Sequence, residues 1–241
     1  MTMTGRLRIV TVSAGLSKPS STRLLADRLT EAAGRGLAAG DRKADITVVE
    51  LRDLAVDIAN HLVTGFPAPA LRDALAAVGG ADGLIVVTPV FAASYSGLFK
   101  SFFDLVEPDA LSGKPVLLAA TGGTARHSLV VEHALRPLFS YLHALTLPTA
   151  VFAATDDWGT GADRHAGGLP ARIERAGGEL ARLLSGAPGT GHPSGASTPE
   201  PAVAGQKGRE GREAGELDDR DDTDDVVPFE QLLANVSANG R

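Results

Sequence analysis

Between Ser13 and Arg23 the chain reads Ser-Ala-Gly-Leu-Ser-Lys-Pro-Ser-Ser-Thr-Arg, with hydroxyls at Ser13, Ser17, Ser20, Ser21 and Thr22 and cations at Lys18 and Arg23. Free backbone N–H groups where a helix begins, joined by hydroxyl donors, hold a phosphate dianion. One such hydroxyl would be read as an ordinary N-cap; this many in one turn point to phosphate. The loop carries neither the P-loop pattern nor the dinucleotide glycine fingerprint. A second cluster runs from Thr88 to Gly97. Pro89 stiffens the exit of a strand. Pro89, Val90 and Phe91, with Tyr95, can wall a flat apolar slot, and Ser94 can address the polar edge of a ring in it. The competing reading is a loop packed on its own sheet. The third cluster is Ala120-Thr-Gly-Gly-Thr-Ala-Arg-His127. Gly122 and Gly123 let backbone N–H groups come close to a ligand, flanked by Thr121 and Thr124. The competing reading there is a bare turn into a helix. His127 at that helix start is either structural or a general acid. Asp156 and Asp157 lack a third ligand nearby and read as a solvated loop, so no metal site is expected. No catalytic triad or carboxylate pair stands out.

Regular elements must bring these loops together. Five short apolar runs read as buried strands: Leu7–Val12, Ile46–Glu50, Gly83–Thr88, Pro115–Ala120 and Pro148–Ala153. Helical period appears in 22–37, 70–78, 96–106, 125–142 and 170–184. Strands alternating with helices give an α/β fold with a parallel sheet covered on both faces. Five strands suit the doubly wound, flavodoxin-like order 2-1-3-4-5, in which a ligand sits beyond the C-terminal strand ends near the switch point. The loops after strands 1, 3 and 4 are the three clusters above. Lys100 and Asp104 are spaced i,i+4 and predict a surface pair.

The 241 residues carry a formal charge of −6 and no cysteine. Disulfides, thiolate metal sites and a cysteine nucleophile are thereby excluded. Residues 186–241 hold 5 Lys/Arg and 11 Asp/Glu, so the first 185 are neutral overall, and no nucleic-acid surface is expected. No apolar run is long enough to cross a membrane, and the N-terminus does not read as a signal peptide. A cytoplasmic protein is expected. Residues 1–185 read as one domain, 186–225 as a disordered acidic Gly/Pro-rich linker, and 226–241 as a short amphipathic tail.

The three clusters resemble those of the NADPH-dependent FMN reductase family over about residues 6–185. Ser20, Thr22 and Arg23 match the later part of its Ser-rich phosphate loop, with Ser17 where the family often has Arg. Thr88, Pro89, Ser94, Gly97, Leu98, Lys100 and Asp104 match its second motif; Val90 and Phe91 replace a Glu-Tyr pair, and Ser96 replaces Pro. Gly122 and Gly123 match the glycine turn after strand 4. The chain looks closer still to a branch of FMN reductases that serve flavin-dependent, luciferase-like monooxygenases. The resemblance implies hydride transfer from NAD(P)H to FMN and a homodimer or homotetramer. It places Ser13, Ser17, Ser20, Ser21, Thr22 and Arg23 at the ribityl phosphate. Pro89, Val90, Phe91 and Ser94 then flank the isoalloxazine, and Thr121, Gly122, Gly123 and Thr124 face its polar edge. Trp158 is expected at a dimer interface or over a neighbouring flavin. The alternatives are an FMN-retaining quinone or azo reductase and a non-enzymatic, flavodoxin-type electron carrier.

Overall fold

The computed structural model describes residues 6–158 and 168–186. The central strands are β1 (Leu7–Ser13), β3 (Gly83–Phe91) and β5 (Pro115–Gly122), all parallel and almost wholly buried. Burial on both faces explains their nearly continuous apolar sequences. β2 (Ala44–Glu50) pairs with β1 at one edge, and its exposed outward residues make it the polar member of the sheet. The parallel order is the flavodoxin-like one.

The fifth strand differs from its expected form. It is split into β6 (Leu145–Thr146) and β7 (Val151–Ala154), both on the outer edge of β5. Pro115 pairs with Leu145 but Ala119 with Val151, so two extra residues lie in the break. Pro148 has no N–H to give the ladder there. Arg136 Nη1 donates to Leu147 O at 2.9 Å and Thr146 Oγ1 at 3.0 Å. Thr149 donates to the Glu179 carboxylate through its N–H at 3.1 Å and its hydroxyl at 2.6 Å. The interrupted ladder is thus served by side chains from neighbouring helices.

Alternation along the strands builds two cores. Val10, Val12, Leu84, Val86 and Leu118 face α3 (Pro69–Gly80), α4 (Gly97–Phe103) and α5 (Arg136–Tyr141). Phe99, Phe103 and Phe139 fill that side, with ring centroids of Phe99–Phe103 and Phe103–Phe139 at 4.6 and 4.9 Å. Ile9, Ile85, Val87 and Leu117 face α1 (Ser21–Ala39) and α6 (Gly168–Leu184). A Cβ on Gly177 would lie 2.6 Å from Ala32 Cβ, and one on Gly36 would lie 2.7 Å from Ala181 Cβ. Those glycines let α1 and α6 cross nearly backbone to backbone. Lys114 is buried and donates at 2.8 Å to the carbonyls of Val78 and Gly79, closing the C-terminal end of α3. Burial is the first cause that holds its ammonium pKa below the ordinary value.

Two helical segments depart from the sequence-based expectation. α2 (Ala55–Thr64), preceded by a 3-10 turn at Leu51–Leu54, is an additional helix. The expected continuous helix 125–142 is instead a 3-10 turn at Ala125–His127, a π turn at Val131–Leu135, and then α5. Pro137 explains the π turn: it has no N–H for the His133 carbonyl, and its ring crowds that carbonyl. The helix widens there, and Arg136 N–H reaches back five residues to Val131 O. No helix among the described residues is long and apolar enough to cross a membrane. Beyond Gly186, the expected linker and tail lie outside the described residues.

Candidate functional site

At the C-terminal ends of β1, β3 and β5, the three loops converge on a cavity of about 370 Å³. Its floor begins with α1. Ser20 caps that helix, accepting Arg23 N–H at 3.2 Å and keeping its own hydroxyl hydrogen free to donate elsewhere. Ser17, Ser20, Ser21 and Thr22 all line the cavity. The loop is folded tightly upon itself: a Cβ on Gly15 would meet Ser20 Oγ at 2.1 Å and Thr22 Cβ at 3.1 Å. Arg52 Nη1 pins it from outside by donating to Ser17 O at 2.7 Å.

Thr22 Oγ1 and Thr121 Oγ1 lie 2.7 Å apart in a buried hydrogen bond, which ties the start of α1 to the end of β5. Thr121, Gly122 and Gly123 line the wall above it. Gly122 is needed for packing, since a Cβ there would come within 2.8 Å of the Phe152 ring. Gly123 faces open space. Pro89, Val90 and Phe91 form the opposite wall. Thr88 is buried and accepts Ser96 N–H at 3.0 Å, while Ser96 Oγ caps α4 by accepting Phe99 N–H at 3.2 Å. After Phe91 the chain turns back through β4 (Ser94–Tyr95), antiparallel to the end of β3. The two-residue turn puts Ala92 at φ 47° and Ala93 at φ 63°.

Ser13, Arg23, Ser94 and Thr124 are not among the residues that line this cavity. Ser13 is fully buried at the end of β1, and its Oγ has no protein partner. Arg23 is held by Asp27 at 2.7 Å and by Glu50, which Arg52 also contacts at 3.2 Å. The hydrogen bond to Asp27 is the main reason its guanidinium pKa is raised. Thr124 caps the following turn by accepting Arg126 N–H at 3.2 Å. Ser94 lies in a second groove, of about 380 Å³, with Arg126, His127 and His133. The expected Lys100–Asp104 pair is present on α4. Asp157 accepts from Ala154 N at 2.7 Å and Arg172 Nη2 at 3.1 Å, and so serves the end of β7. Trp158 packs on its own core with Arg28 5.1 Å above its ring. Two further residues, Leu16 and Thr155, complete the cavity. Thr155 follows β7, and the switch-point rule could have found it had the last strand end been included.

The lining fits a phosphate joined to a flat ring. It offers a helix N-terminus with four hydroxyl-bearing residues, and no carboxylate among the described residues opposes an anion. Apolar side chains stand on one side, and Gly122 and Gly123 line the other.

Residues 7–159 match the family described as NADPH-dependent FMN reductase. A Pseudomonas aeruginosa FMN reductase (NADPH) is 42% identical over 65% of this chain and 81% of its own length. An NADH-dependent FMN reductase of Pseudomonas putida is 40% identical over 71% of this chain and 88% of its own. Among solved structures, an oxidoreductase from Corynebacterium diphtheriae is 45% identical with a TM-score of 0.71, covering 75% of this chain and 98% of that one. With the match spanning most of the sheet and all three loops, the chain belongs to the NADPH-dependent FMN reductase family.

Proposed function

We propose that the protein is an NAD(P)H:FMN oxidoreductase, that FMN binds in the cavity at the head of α1, and that reduced flavin passes to a flavin-dependent monooxygenase. The observation that carries this reading is the convergence of hydroxyls, glycines and Pro89–Phe91 on one cavity in a chain of this family. Ser17, Ser20, Ser21 and Thr22 would hold the phosphate with the first N–H groups of α1. Pro89, Val90 and Phe91 would flank the ring, and the backbone at Gly122 and Gly123 would face its polar edge. FMN, when bound, supplies the two-electron acceptor for a nicotinamide hydride. The chain's own part is to orient and to keep water out. Leu16 and Phe91, about half exposed at the mouth, leave room for a second ring to approach.

A homodimer or homotetramer is part of this reading. Val56, Val63 and Phe66 are 72, 87 and 81% exposed on α2 and the turn after it, a concentration of apolar surface that favours a protein partner. The test is oxidation of NADPH and NADH followed at varied FMN, beside quenching of flavin fluorescence by the full-length protein. Flavin-dependent turnover with saturable FMN binding is expected. FMN binding without oxidation of either nucleotide would move the assignment to an electron carrier.

A further inference from the structure

The Ser-rich loop is held by side chains that do not line the cavity. β1 and β2 end side by side, with Ser13 in register with Glu50. β1 runs on into the loop, and β2 runs straight into the 3-10 turn at Leu51–Leu54. Leu51 and Leu54 are buried in the core, so the backbone of Arg52 between them is fixed. Its guanidinium reaches the loop: Nη1 donates to Ser17 O at 2.7 Å, and Nη2 lies 3.2 Å from Glu50 Oε2. The other Glu50 oxygen accepts from Arg23 Nη1 in the first turn of α1. One carboxylate at the end of β2 thus fastens the middle of the loop through Arg52 and its far end through Arg23. The Glu50 and Arg52 side chains are 14 and 18% exposed, so water screens these contacts only in part. Neither residue lines the cavity.

Such a loop can offer donors to an anion only while its carbonyls are engaged elsewhere. A carbonyl oxygen directed at a phosphate would repel it. That of Ser17 is occupied by the Arg52 guanidinium instead. Arg23 is committed to Asp27 and Glu50, and no cation lines the cavity among the described residues. Preference for a phosphate must then come from the placement of Ser17, Ser20, Ser21 and Thr22. Resting on the reductase reading, we infer that Glu50 and Arg52 are positioning residues for the flavin phosphate. The Arg23–Glu50–Arg52 clasp sets the geometry of the loop, and with it the preference for FMN over riboflavin, which lacks the phosphate.

The test uses the full-length protein and the variants Arg52→Gln, Glu50→Gln and the two combined. Kd values for FMN and riboflavin are read by flavin fluorescence quenching, beside KM for each flavin. Arg52→Gln is expected to weaken FMN binding by about tenfold, with riboflavin changed by less than about twofold, because only the phosphate senses the loop. Glu50→Gln keeps the size of the side chain and should give a loss of the same kind. The double variant should lose no more than about the worse single one, since both changes open one clasp. An equal loss for both flavins would mark general damage to the fold and overturn the inference, as would FMN affinities within about twofold of wild type. A gain in FMN affinity in Glu50→Gln would overturn it too, by showing that Arg23 serves the phosphate better when released. If the wild type binds FMN no better than riboflavin, the phosphate seat and this inference fall while flavin reduction stands. If it binds neither flavin, the reductase reading falls and takes this inference with it.

Discussion

The cavity and the groove lie side by side and are built by opposite means. In the cavity no side chain among the described lining residues is charged; hydroxyls and backbone on rigid elements do the work. Those groups are fixed by the Ser20 cap, the Thr22–Thr121 hydrogen bond and the grip of Arg52 on Ser17. In the groove the polar groups are long, exposed side chains on a 3-10 turn and a π turn. The contrast is one of preorganisation. A ligand in the cavity meets donors already in place, whereas one in the groove must order Arg126 at some cost in side-chain entropy. The cavity is accordingly the preorganised one of the two.

The strongest way to break this contrast is to spoil the fixed geometry of the cavity. In Gly15→Ala the new Cβ has no room beside Ser20 Oγ and Thr22 Cβ. The loop must move off its seat, at a cost of about 1–3 kcal/mol. FMN affinity measured by fluorescence quenching should fall by about 5- to 150-fold, with the fold retained by circular dichroism. Unchanged affinity would mean that the Ser-rich loop is not the phosphate seat.

The same contrast explains what could be read from the sequence. β1, β3 and β5 are buried on both faces, so their apolar runs stand out, and the hydroxyls of the first loop announce a phosphate site unaided. α2 was missed although Ala55, Ile58, Ala59 and Leu62 recur at helical spacing; only Ile58 of that helix is fully buried, and Val56 and Val63 are exposed. The π turn was hidden because Pro137 lies within a sequence whose apolar spacing is otherwise helical. Arg23 shows the limit for the site. Its type and position suit a phosphate, and only the fold brings Glu50 from the end of β2 to claim it. The groove was missed as a unit because its parts come from two segments far apart in sequence, the β3–β4 turn and the helical turns after β5.

The turn between Phe91 of the cavity and Ser94 of the groove offers a smaller test. The turn at Ala92–Ala93 needs φ > 0 at both residues, the geometry of a type I′ hairpin that favours Asn-Gly. Alanine in the left-handed region costs about 1–2 kcal/mol per residue. The double change Ala92→Asn with Ala93→Gly should therefore stabilise the protein by about 1 kcal/mol, after allowing for the entropy of the new glycine. That corresponds to a rise of about 2–4 °C in Tm by scanning calorimetry. A fall in Tm would show that the alanines make contacts worth more than the strain they carry.

The smallest effect concerns the pair that keeps a carboxylate away from the groove. The hydrogen bond from Arg136 holds the Glu132 carboxyl below its ordinary pKa, helped by the Coulomb attraction of Arg136 and His133 and opposed by partial burial. A depressed acid pKa contributes stability that is fully present above the unfolded value of 4.5 and is lost as pH falls through the folded value. Glu132 is 49% exposed, so solvent screening limits the contribution to a few tenths of a kcal/mol. Glu132→Gln should be slightly less stable than wild type in urea at about pH 6, with the difference shrinking as the pH falls below the unfolded value. If instead the difference grew as pH fell, the pair would not be what sets this part of the acid response, and Glu132 would count as a free negative charge beside Arg126.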